Sequence, residues 1–470
     1  MTLNTPILWV IFPIVVAGIA GIFSKRKVFS VLLTGISALA LALLAIFFPG
    51  EMQFSIGPLA LTFEENLAVL GRQISLPYET LQFVGFIYAM TGLWALSSGT
   101  KNVPISFRPS SLVITALLTA AIGVEPFLYA ALLIEMAVLV SIPSLTPLEK
   151  ETEKGTLRYI TLQTVAMPFI LIAGWLLAGV ESLPPDSPLI AQTIIALALG
   201  FGLWLGVFPF HTWIPMVSQS SNPTVTSYLM FILPTSVLVF SLKFLDGYTF
   251  LRTSETFFEL LRIIGTLTII MGGVFTAVQD NLKRAFGFSV LSETGFSLLA
   301  LGVSPQVGLS WMLMLFPVRA LGYWLWGYTL NLIEEYAGAV DYANLQGFAR
   351  HYPFLSGGLL VSQLSIAGLP LLAGFPIKSA LIATTFEYGG GLAVWSFIGS
   401  LGLFLFTFRL IGHLVTPEDD PDYPAWMISE KTHEYLPVVI MTAVLIILGL
   451  FPGEFLSGIL ETLTAFAQLQ

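Results

Sequence analysis

Five ionisable side chains lie inside or beside apolar runs long enough to cross a membrane: Glu135, His211, Glu293, Arg319 and Lys378. A charge at the middle of a bilayer costs about 2.5–3.5 kcal/mol on insertion scales, so such residues usually face a protein interior or a wet cavity. Carboxyl, imidazole and ammonium groups in such surroundings can take up and release protons. Proton transfer within the membrane is therefore the chemistry that these residues predict.

Glu135 lies in "LYAALLIEMAVLVSI", a run that is otherwise apolar on all sides. Its carboxyl must find a partner on a neighbouring helix or be protonated, because an unpaired buried charge is costly. We predict that it carries protons. The alternative is a neutral glutamic acid that is hydrogen-bonded to the next helix.

Two further charges of opposite sign lie in consecutive apolar runs. Glu293 is central to "FGFSVLSETGFSLLAL", and Arg319 is central to "WMLMLFPVRALGYWLWGY". Their similar depth predicts an ion pair or a water-bridged couple. A purely structural clamp between the two helices is the alternative.

Lys378 stands beside an interruption in "SIAGLPLLAGFPIKSALIA". Gly368, Pro370, Gly374 and Pro376 cannot share one straight helix. A break at membrane depth is tolerated only where it is buried in protein or lines a cavity, and transporters build sites there. A lysine in that position can exchange protons. The alternative is a lysine that extends to the membrane surface.

A second interrupted segment, "VFPFHTWIP", contains His211 between Pro209 and Pro215. Paired interrupted helices in corresponding positions indicate an internal repeat. A histidine at such a break can change its protonation near neutral pH. The alternative is a histidine at a helix end that bonds a loop carbonyl.

The composition indicates that these residues belong to a membrane protein. Apolar residues make up 56% of the chain and charged residues 10%, against roughly 25% charged residues in soluble domains. Without cysteine, disulfides, Cys-ligated zinc and Cys-held iron–sulfur clusters are excluded. We expect no cofactor, no metal site and, at a net charge of −9, no nucleic-acid partner.

Apolar runs of about 17–25 residues predict an all-α polytopic membrane protein with about fourteen transmembrane helices. The predicted centres lie near residues 15, 38, 88, 117, 136, 167, 199, 232, 268, 293, 320, 362, 402 and 446, and a half-length span lies near 382. Residues 51–76 break this rhythm and predict a small external β-hairpin around Gly57-Pro58.

Basic residues concentrate in alternate loops, as the positive-inside rule requires of cytoplasmic loops. The basic loops hold Lys25, Arg26, Lys27, Lys101, Arg108, Lys150, Lys154, Arg158, Lys283, Arg284, Arg350, Arg409 and Lys431. The opposite loops hold Arg72, Lys243, Arg252 and Arg262, with the acids Glu51, Glu64, Glu65, Glu181 and Asp186. We therefore expect a retained first helix and both termini on the non-cytoplasmic side.

Three segments together resemble the antiporter-like subunits of respiratory complex I, which are related to Mrp-type sodium/proton antiporters and membrane-bound hydrogenases. "PFHTWIPMVSQSSNPTVTSYL" resembles the family's P-x-H-x-W-x-P stretch, and "QDNLKRAFGFSVLSETG" resembles "QDNIKR-x-LAYSSIS-x-x-G". "SIAGLPLLAGFPIKSAL" resembles the broken helix "LAGIPP-x-AGF-x-x-K". The resemblance covers roughly residues 60 to 415.

The resemblance implies two inverted five-helix repeats, spans 4–8 and 9–13, with broken helices 7 and 12. It divides the chain into N-terminal helices with the hairpin (1–109), a first repeat (110–245), a second repeat (246–415) and a cytoplasmic loop with the final helix (416–470). Glu135 and Lys378 match the family's fifth-helix glutamate and twelfth-helix lysine. Protons would move along a central axis of Glu, Lys and His.

The chain departs from the family pattern at four positions. Trp204 stands where the seventh helix has a lysine, and Pro234 lies near the eighth-helix Lys or His. Arg319 replaces an eleventh-helix lysine and cannot release a proton. Glu293 replaces the family's tenth-helix Ser or His. The first half should therefore lack its cation, and the second should carry a fixed charge.

The resemblance implies a membrane subunit that relays protons in a complex I-type assembly, nearest in length to the N-type subunit. Its partners would be other membrane subunits, the lipid bilayer and protons, with Na⁺ as a possible coupled ion. Redox chemistry would take place in partner subunits. The alternatives are a structural subunit that does not pump and an Mrp-like cation/proton antiporter subunit.

Overall fold

The computed structural model describes residues 2–47, 53–56, 59–69, 71–146, 153–177, 187–303, 307–416, 426, 428–455, 460, 466 and 468–469. Gly57 and Pro58, at the turn of the predicted hairpin, lie outside these ranges. So do four charges used to orient the chain: Glu51, Lys150, Glu181 and Asp186.

The described chain is nearly all helical. Its α-helices are α1 (Phe12–Ile22), α2 (Lys27–Phe47), α3 (Tyr78–Ser97), α4 (Phe107–Gly123), α5 (Ala130–Leu145), α6 (Lys154–Leu177), α7 (Pro188–Leu205), α8 (Trp213–Ser220), α9 (Pro223–Gly247), α10 (Thr249–Arg252), α11 (Glu255–Ala277), α12 (Leu282–Val303), α13 (Val307–Ala337), α14 (Pro353–Ala367), α15 (Gly374–Tyr388), α16 (Gly390–Val415), α17 (Thr432–Leu450) and α18 (Pro452–Phe455). A π-helical turn (Ile7–Ile11) precedes α1, and short 3₁₀ helices cover Phe127–Tyr129, Phe210–Thr212, Tyr342–Leu345 and Phe348–Arg350.

Every predicted span centre falls inside one of these helices. Ten described helices or helix pairs are long and apolar enough to cross a membrane, and three shorter apolar helices accompany them. The prediction of a polytopic, all-α membrane protein is confirmed. The total of fourteen crossings and the inverted repeat remain predictions.

In the described part of the chain, six short strands form two small sheets. β1 (Thr2–Asn4), β2 (Gln53–Ile56) and β3 (Leu59–Glu64) make the first, and β4 (Asn66–Val69), β5 (Arg72–Ser75) and β6 (Val124–Glu125) make the second. β2 and β3 pair antiparallel with Ile56 opposite Leu59, and β1 pairs parallel to β3. The two strands of the predicted hairpin are therefore paired, while its side of the membrane remains a prediction.

The helices differ sharply in their surroundings. In the most apolar stretches of α9 and α12, 94% and 100% of the residues are buried, against 22% in α17. Large apolar side chains on the outer helices are exposed, with Trp175 at 77% and Phe408 at 63%. Such apolar surface suits lipid, because soluble monomers rarely expose contiguous patches of this kind. α9 and α12 thus form the centre of the bundle.

Two helix interruptions share one backbone geometry. α7 ends at Gly206 and α14 ends at Gly368, both with positive φ (61° and 85°). The next residue then donates to the carbonyl five positions earlier, Val207 to Gly202 at 3.1 Å and Leu369 to Leu364 at 2.9 Å. Glycine accepts this left-handed conformation at little cost, and the resulting Schellman cap ends each helix.

The prolines occupy equivalent places in the two interruptions. Pro209 and Pro370 lie in the segments that connect the half-helices, whereas Pro215 and Pro376 are the third residues of α8 and α15. A first-turn proline costs no helical hydrogen bond, because N–H groups there have no partner within the helix. Each second half-helix can therefore begin immediately after its break.

Close glycine contacts hold α11 against α16. A Cβ built on Gly273 would lie 1.7 Å from the carbonyl oxygen of Gly399. Small residues permit such backbone approach between membrane helices. We expect Gly273→Ala to force the helices apart and lower stability by about 1–3 kcal/mol, the usual range for overpacking.

Thermal unfolding of the purified chain in detergent measures this effect. Gly412→Ala on α16 is the control, because its Cβ would meet no atom of the described residues within 4 Å. Equal unfolding temperatures for the two variants would show that the α11–α16 crossing does not depend on this contact.

Candidate functional site

Three predicted residues meet in the buried centre. α12, α13 and α15 bring Glu293, Arg319 and Lys378 together, and the three are only 3%, 2% and 4% exposed. The Lys378 ammonium donates to the Glu293 carboxylate at Oε1. Arg319 Nε lies 3.6 Å from Glu293 Oε2. Glu293, Arg319 and Lys378 are called the charged cluster below.

Arg319 is held by one main-chain oxygen and one hydroxyl group of α12. Its Nη2 donates to the main-chain oxygen of Glu293 at 2.7 Å and also to the hydroxyl of Ser297. Its contact with the Glu293 carboxylate is the longer one. Because a guanidinium keeps its proton in proteins, Arg319 contributes a permanent positive charge to the cluster.

The helix break provides Lys378 with a second hydrogen-bond acceptor. The Lys378 ammonium donates to the carbonyl oxygen of Ile366, in the last turn of α14. The last four carbonyls of a helix have no partner within it and carry partial negative charge, so they attract a cation. The Phe296 ring lies 4.8 Å from the ammonium and adds a cation–π contact.

The charge balance in the cluster singles out Lys378 as the group that can release a proton. One carboxylate faces two cations, so the cluster carries one excess positive charge when all three groups are ionised. Burial strengthens the repulsion between Arg319 and Lys378, because charges interact more strongly away from water. Arg319 cannot relieve this repulsion by losing a proton, whereas Lys378 can.

Polar side chains continue from the cluster along one face of α12. Ser289, Glu293 and Ser297 follow each other at intervals of four residues and span about 12 Å at 1.5 Å per residue. Gln363 on α14 donates from Nε2 to the Ser289 hydroxyl at 3.0 Å. This polar stripe runs through the bundle centre between apolar neighbours.

Other buried polar atoms near the cluster are without a hydrogen-bond partner in the described part of the chain. They include the hydroxyls of Tyr323 and Ser292 and Oε1 of Gln363. The Tyr323 hydroxyl also interacts electrostatically with Arg319 and Glu293. Buried polar groups in proteins are normally hydrogen-bonded, directly or through ordered water. These three groups are therefore the positions beside the cluster where an ordered water molecule would find a hydrogen-bond partner.

Glu135 lies apart from this cluster, on α5. It is 9% exposed, and Thr164 on α6 donates its hydroxyl to Oε1 at 2.7 Å. Its Oε2 has no partner, and among the described residues no Lys, Arg or His forms an ion pair with it. The structure thus gives this carboxyl a neutral hydroxyl donor.

The carbonyl oxygens at equivalent positions of the two helix breaks accept hydrogen bonds from different donors. Trp204 and Ile366 each stand two residues before the glycine that ends the first half-helix. The Ile366 oxygen accepts from the Lys378 ammonium, whereas the Trp204 oxygen accepts from the neutral amide of Gln163 at 3.0 Å. The Trp204 side chain is 2% exposed and packs against phenylalanines of α7 and α9.

His211 and Pro234 complete the predicted set. His211 lies in the short helix Phe210–Thr212, is half-buried and stacks on Phe208 with ring centres 6.0 Å apart. In the described part of the chain it makes no hydrogen bond or ion pair to Glu135 or to the charged cluster. Pro234 is buried inside α9, followed by two hydroxyls, those of Thr235 and Ser236, that have no hydrogen-bond partner among the described residues.

The sequence pointed to a Glu293–Arg319 couple but missed the contact between Glu293 and Lys378. The four-residue spacing of Ser289, Glu293 and Ser297 was the available signal, since it marks one polar face on an otherwise apolar helix. That face required a polar partner on a neighbouring helix. Lys378, beside the broken helix, was a cation to which the sequence assigned no partner.

Comparison with known proteins agrees with this architecture. Residues 180–404 match the family described as "NADH:quinone oxidoreductase/Mrp antiporter, TM". NADH-quinone oxidoreductase subunit N 2 of Herpetosiphon aurantiacus is 28% identical over 303 residues, which cover 60% of this chain and 54% of that protein. The chain thus spans about half the length of the curated relatives it matches first.

Solved structures match over nearly the whole chain. A chain of the Mrp complex from Dietzia sp. DQ12-45-1b has a TM-score of 0.81 at 15% identity and covers 98% of this chain and 97% of its own. A chain of respiratory complex I from Thermus thermophilus with bound NADH has a TM-score of 0.73 at 17% identity, covering 97% and 99%. At these identities the likeness is one of fold.

The resemblance drawn from the three sequence segments is therefore confirmed: this integral membrane protein is similar to the antiporter-like subunits found in complex I and Mrp assemblies.

Proposed function

We propose that this chain is a membrane subunit of a complex I-type assembly and relays protons across the membrane through its second half. Its partners are other membrane subunits, and redox chemistry in those subunits drives it. The single observation that carries the proposal is the placement of Lys378, which a broken helix holds between Glu293 and the Ile366 carbonyl beside the fixed charge of Arg319. Both termini lie on the non-cytoplasmic side in this proposal.

The relay depends on which cation Glu293 neutralises. While the carboxylate bonds Lys378, the ammonium form is stabilised. A small shift of Glu293 toward Arg319 Nε, now 3.6 Å away, leaves Lys378 buried beside a permanent cation. The ammonium then passes one proton to a water molecule on the polar stripe and becomes a neutral amine. A proton from the opposite side restores the ammonium form and completes the cycle.

The first half plays a smaller part because it lacks a cation. Its helix-end carbonyl at Trp204 is satisfied by a neutral amide, and Glu135 is bonded by a hydroxyl. A carboxyl in this setting can accept and pass on a proton, but no described cation competes for it. Glu135 therefore serves as an accessory site.

Glu135→Gln tests this assignment. Glutamine keeps an oxygen that accepts from Thr164, so we expect normal assembly. We expect the ratio of protons moved to electrons transferred, measured in proteoliposomes with the assembled complex, to fall less than in Lys378→Ala. If Glu135→Gln abolished proton movement as completely as Lys378→Ala, the first half would be essential and the assignment wrong.

A structural role without pumping is the second candidate. Arg319 and Trp204 favour it, since each replaces a group that could titrate with one that cannot. Under this reading both Lys378→Ala and Glu135→Gln leave the proton-to-electron ratio unchanged while assembly stays intact.

An Mrp-like cation/proton antiporter subunit is the third candidate, because the description of the family that residues 180–404 match names Mrp antiporters as well as NADH:quinone oxidoreductase. Replacing sodium by potassium in the same proteoliposomes separates it from the first. Proton movement that persists without sodium supports a proton relay, and movement that requires sodium supports the Mrp-like reading.

A further inference from the structure

A deep crevice of about 670 Å³ lies where one end of α2, α3, α13 and α17 meets. Lys27 begins α2, Lys101 follows α3, and Lys431 and His433 stand at the start of α17. All four basic side chains line the crevice, and the three lysines belong to loops that the charge distribution assigns to the cytoplasm. The rim of the crevice therefore carries three lysines and a histidine together with the carboxylates of Glu335 and Glu434.

The crevice is apolar below this rim. On α13 its wall is formed by Trp324, Tyr328 and Leu332, spaced four residues apart and thus on one helix face. Trp324 and Tyr328 stack with ring centres 5.1 Å apart. On α17 the opposite wall includes Leu436 and Ile440, which are 49% and 55% exposed.

The depth of the crevice matches one leaflet. Trp324, the lining residue on α13 farthest from the rim, stands eleven residues before Glu335 at the rim, about 16 Å at 1.5 Å per residue. The hydrocarbon core of a bilayer is about 30 Å thick, so half of it is about 15 Å. A transmembrane helix of a partner would run through both leaflets, whereas a lipid occupies one.

The charges at the rim favour an anionic occupant. Lys101 is paired with Glu335 at 3.0 Å, and Lys431 with Glu434 at 3.4 Å. Lys27 forms no ion pair with any described residue, so the rim has one uncompensated lysine. A phosphodiester carries one negative charge and accepts hydrogen bonds from ammonium groups.

We propose that this crevice binds one anionic phospholipid, with its phosphate between Lys27 and Lys431 and an acyl chain against Trp324 and Tyr328. The lipid fills the gap between the N-terminal helices α2 and α3 and the pair α13 and α17. It thereby adds a contact between these two parts of the chain, which the Lys101–Glu335 ion pair already joins at this end. The proposal depends on the membrane location and not on proton transfer.

The test is native mass spectrometry of the full chain in detergent with phosphatidylglycerol or phosphatidylcholine. Lys27→Gln/Lys431→Gln should weaken phosphatidylglycerol binding roughly 30-fold, given the attraction of two lysines to anionic lipid, and leave phosphatidylcholine nearly unchanged. Lys154→Gln/Arg284→Gln removes the same charge from exposed positions outside the crevice and should change neither. Ile440→Trp, at an exposed position, should fill the crevice and weaken both lipids.

Equal phosphatidylglycerol affinity in the two charge variants would overturn the proposal. So would a map of the assembled complex with a partner helix in the crevice and no phosphate near Lys27. A phosphate at that position in the map, together with selective loss in Lys27→Gln/Lys431→Gln, would establish it.

Discussion

Replacing Glu293 by glutamine is expected to destabilise the chain by about 3–5 kcal/mol, the usual cost of breaking a buried ion pair by removing one partner. The substitution keeps the size of the side chain but leaves two cations, Arg319 and Lys378, in contact with no carboxylate. Both are nearly fully buried, so bulk water does not reach them. Thermal unfolding in detergent and the yield of assembled complex measure the effect.

A double variant provides the control. Arg319→Met removes the permanent cation, so Glu293→Gln/Arg319→Met leaves only Lys378, which can become neutral. We expect it to unfold at a higher temperature than Glu293→Gln alone. If the stability losses caused by Glu293→Gln and by Arg319→Met simply added in the double variant, Glu293 and Arg319 would not be coupled. The cluster would then not act as one unit.

Lys378→Ala is expected to preserve assembly and abolish most proton movement by this subunit. Without the lysine, Glu293 still has Arg319 as a partner, so no charge is left uncompensated. The relay, however, loses the only group in the cluster that can alternate between ammonium and amine. The measurement is the ratio of protons moved to electrons transferred in proteoliposomes, with the rate of quinone reduction recorded in parallel.

Lys283→Ala is the matched control for Lys378→Ala. Lys283 lies on α12, is 9% exposed and pairs with Glu334 at 2.9 Å, so its loss also removes a lysine–carboxylate pair. We expect its proton-to-electron ratio to stay near that of the unmodified complex. An unchanged ratio in Lys378→Ala, with assembly intact, would instead favour the structural role.

Much of the fold follows from the sequence because the bilayer imposes simple rules. Apolar runs long enough to span a bilayer predict the positions of the helices, and Gly368 with Pro370 predicts a break in one of them. Neither pattern depends on residues that are distant in the sequence. The high cost of an intramembrane charge likewise singled out Glu135 and Lys378 before any contact was known.

The pairing of charges could not be predicted in the same way. Whether Glu293 meets Arg319 or Lys378 depends on how α12, α13 and α15 are rotated against each other, and an apolar helix gives few signs of its rotation. The different partners of the Trp204 and Ile366 carbonyls were also hidden. Main-chain oxygens at helix ends accept from whichever donor the tertiary packing brings near.

The most direct test of the central claim is the proton-to-electron ratio of Lys378→Arg in the assembled complex. Arginine preserves the positive charge opposite Glu293 and Ile366 but does not release a proton. The proton relay predicts normal assembly and quinone reduction with a ratio as low as that of Lys378→Ala. A ratio equal to that of the unmodified complex would show that a fixed charge is sufficient at this position, and would contradict proton release by Lys378.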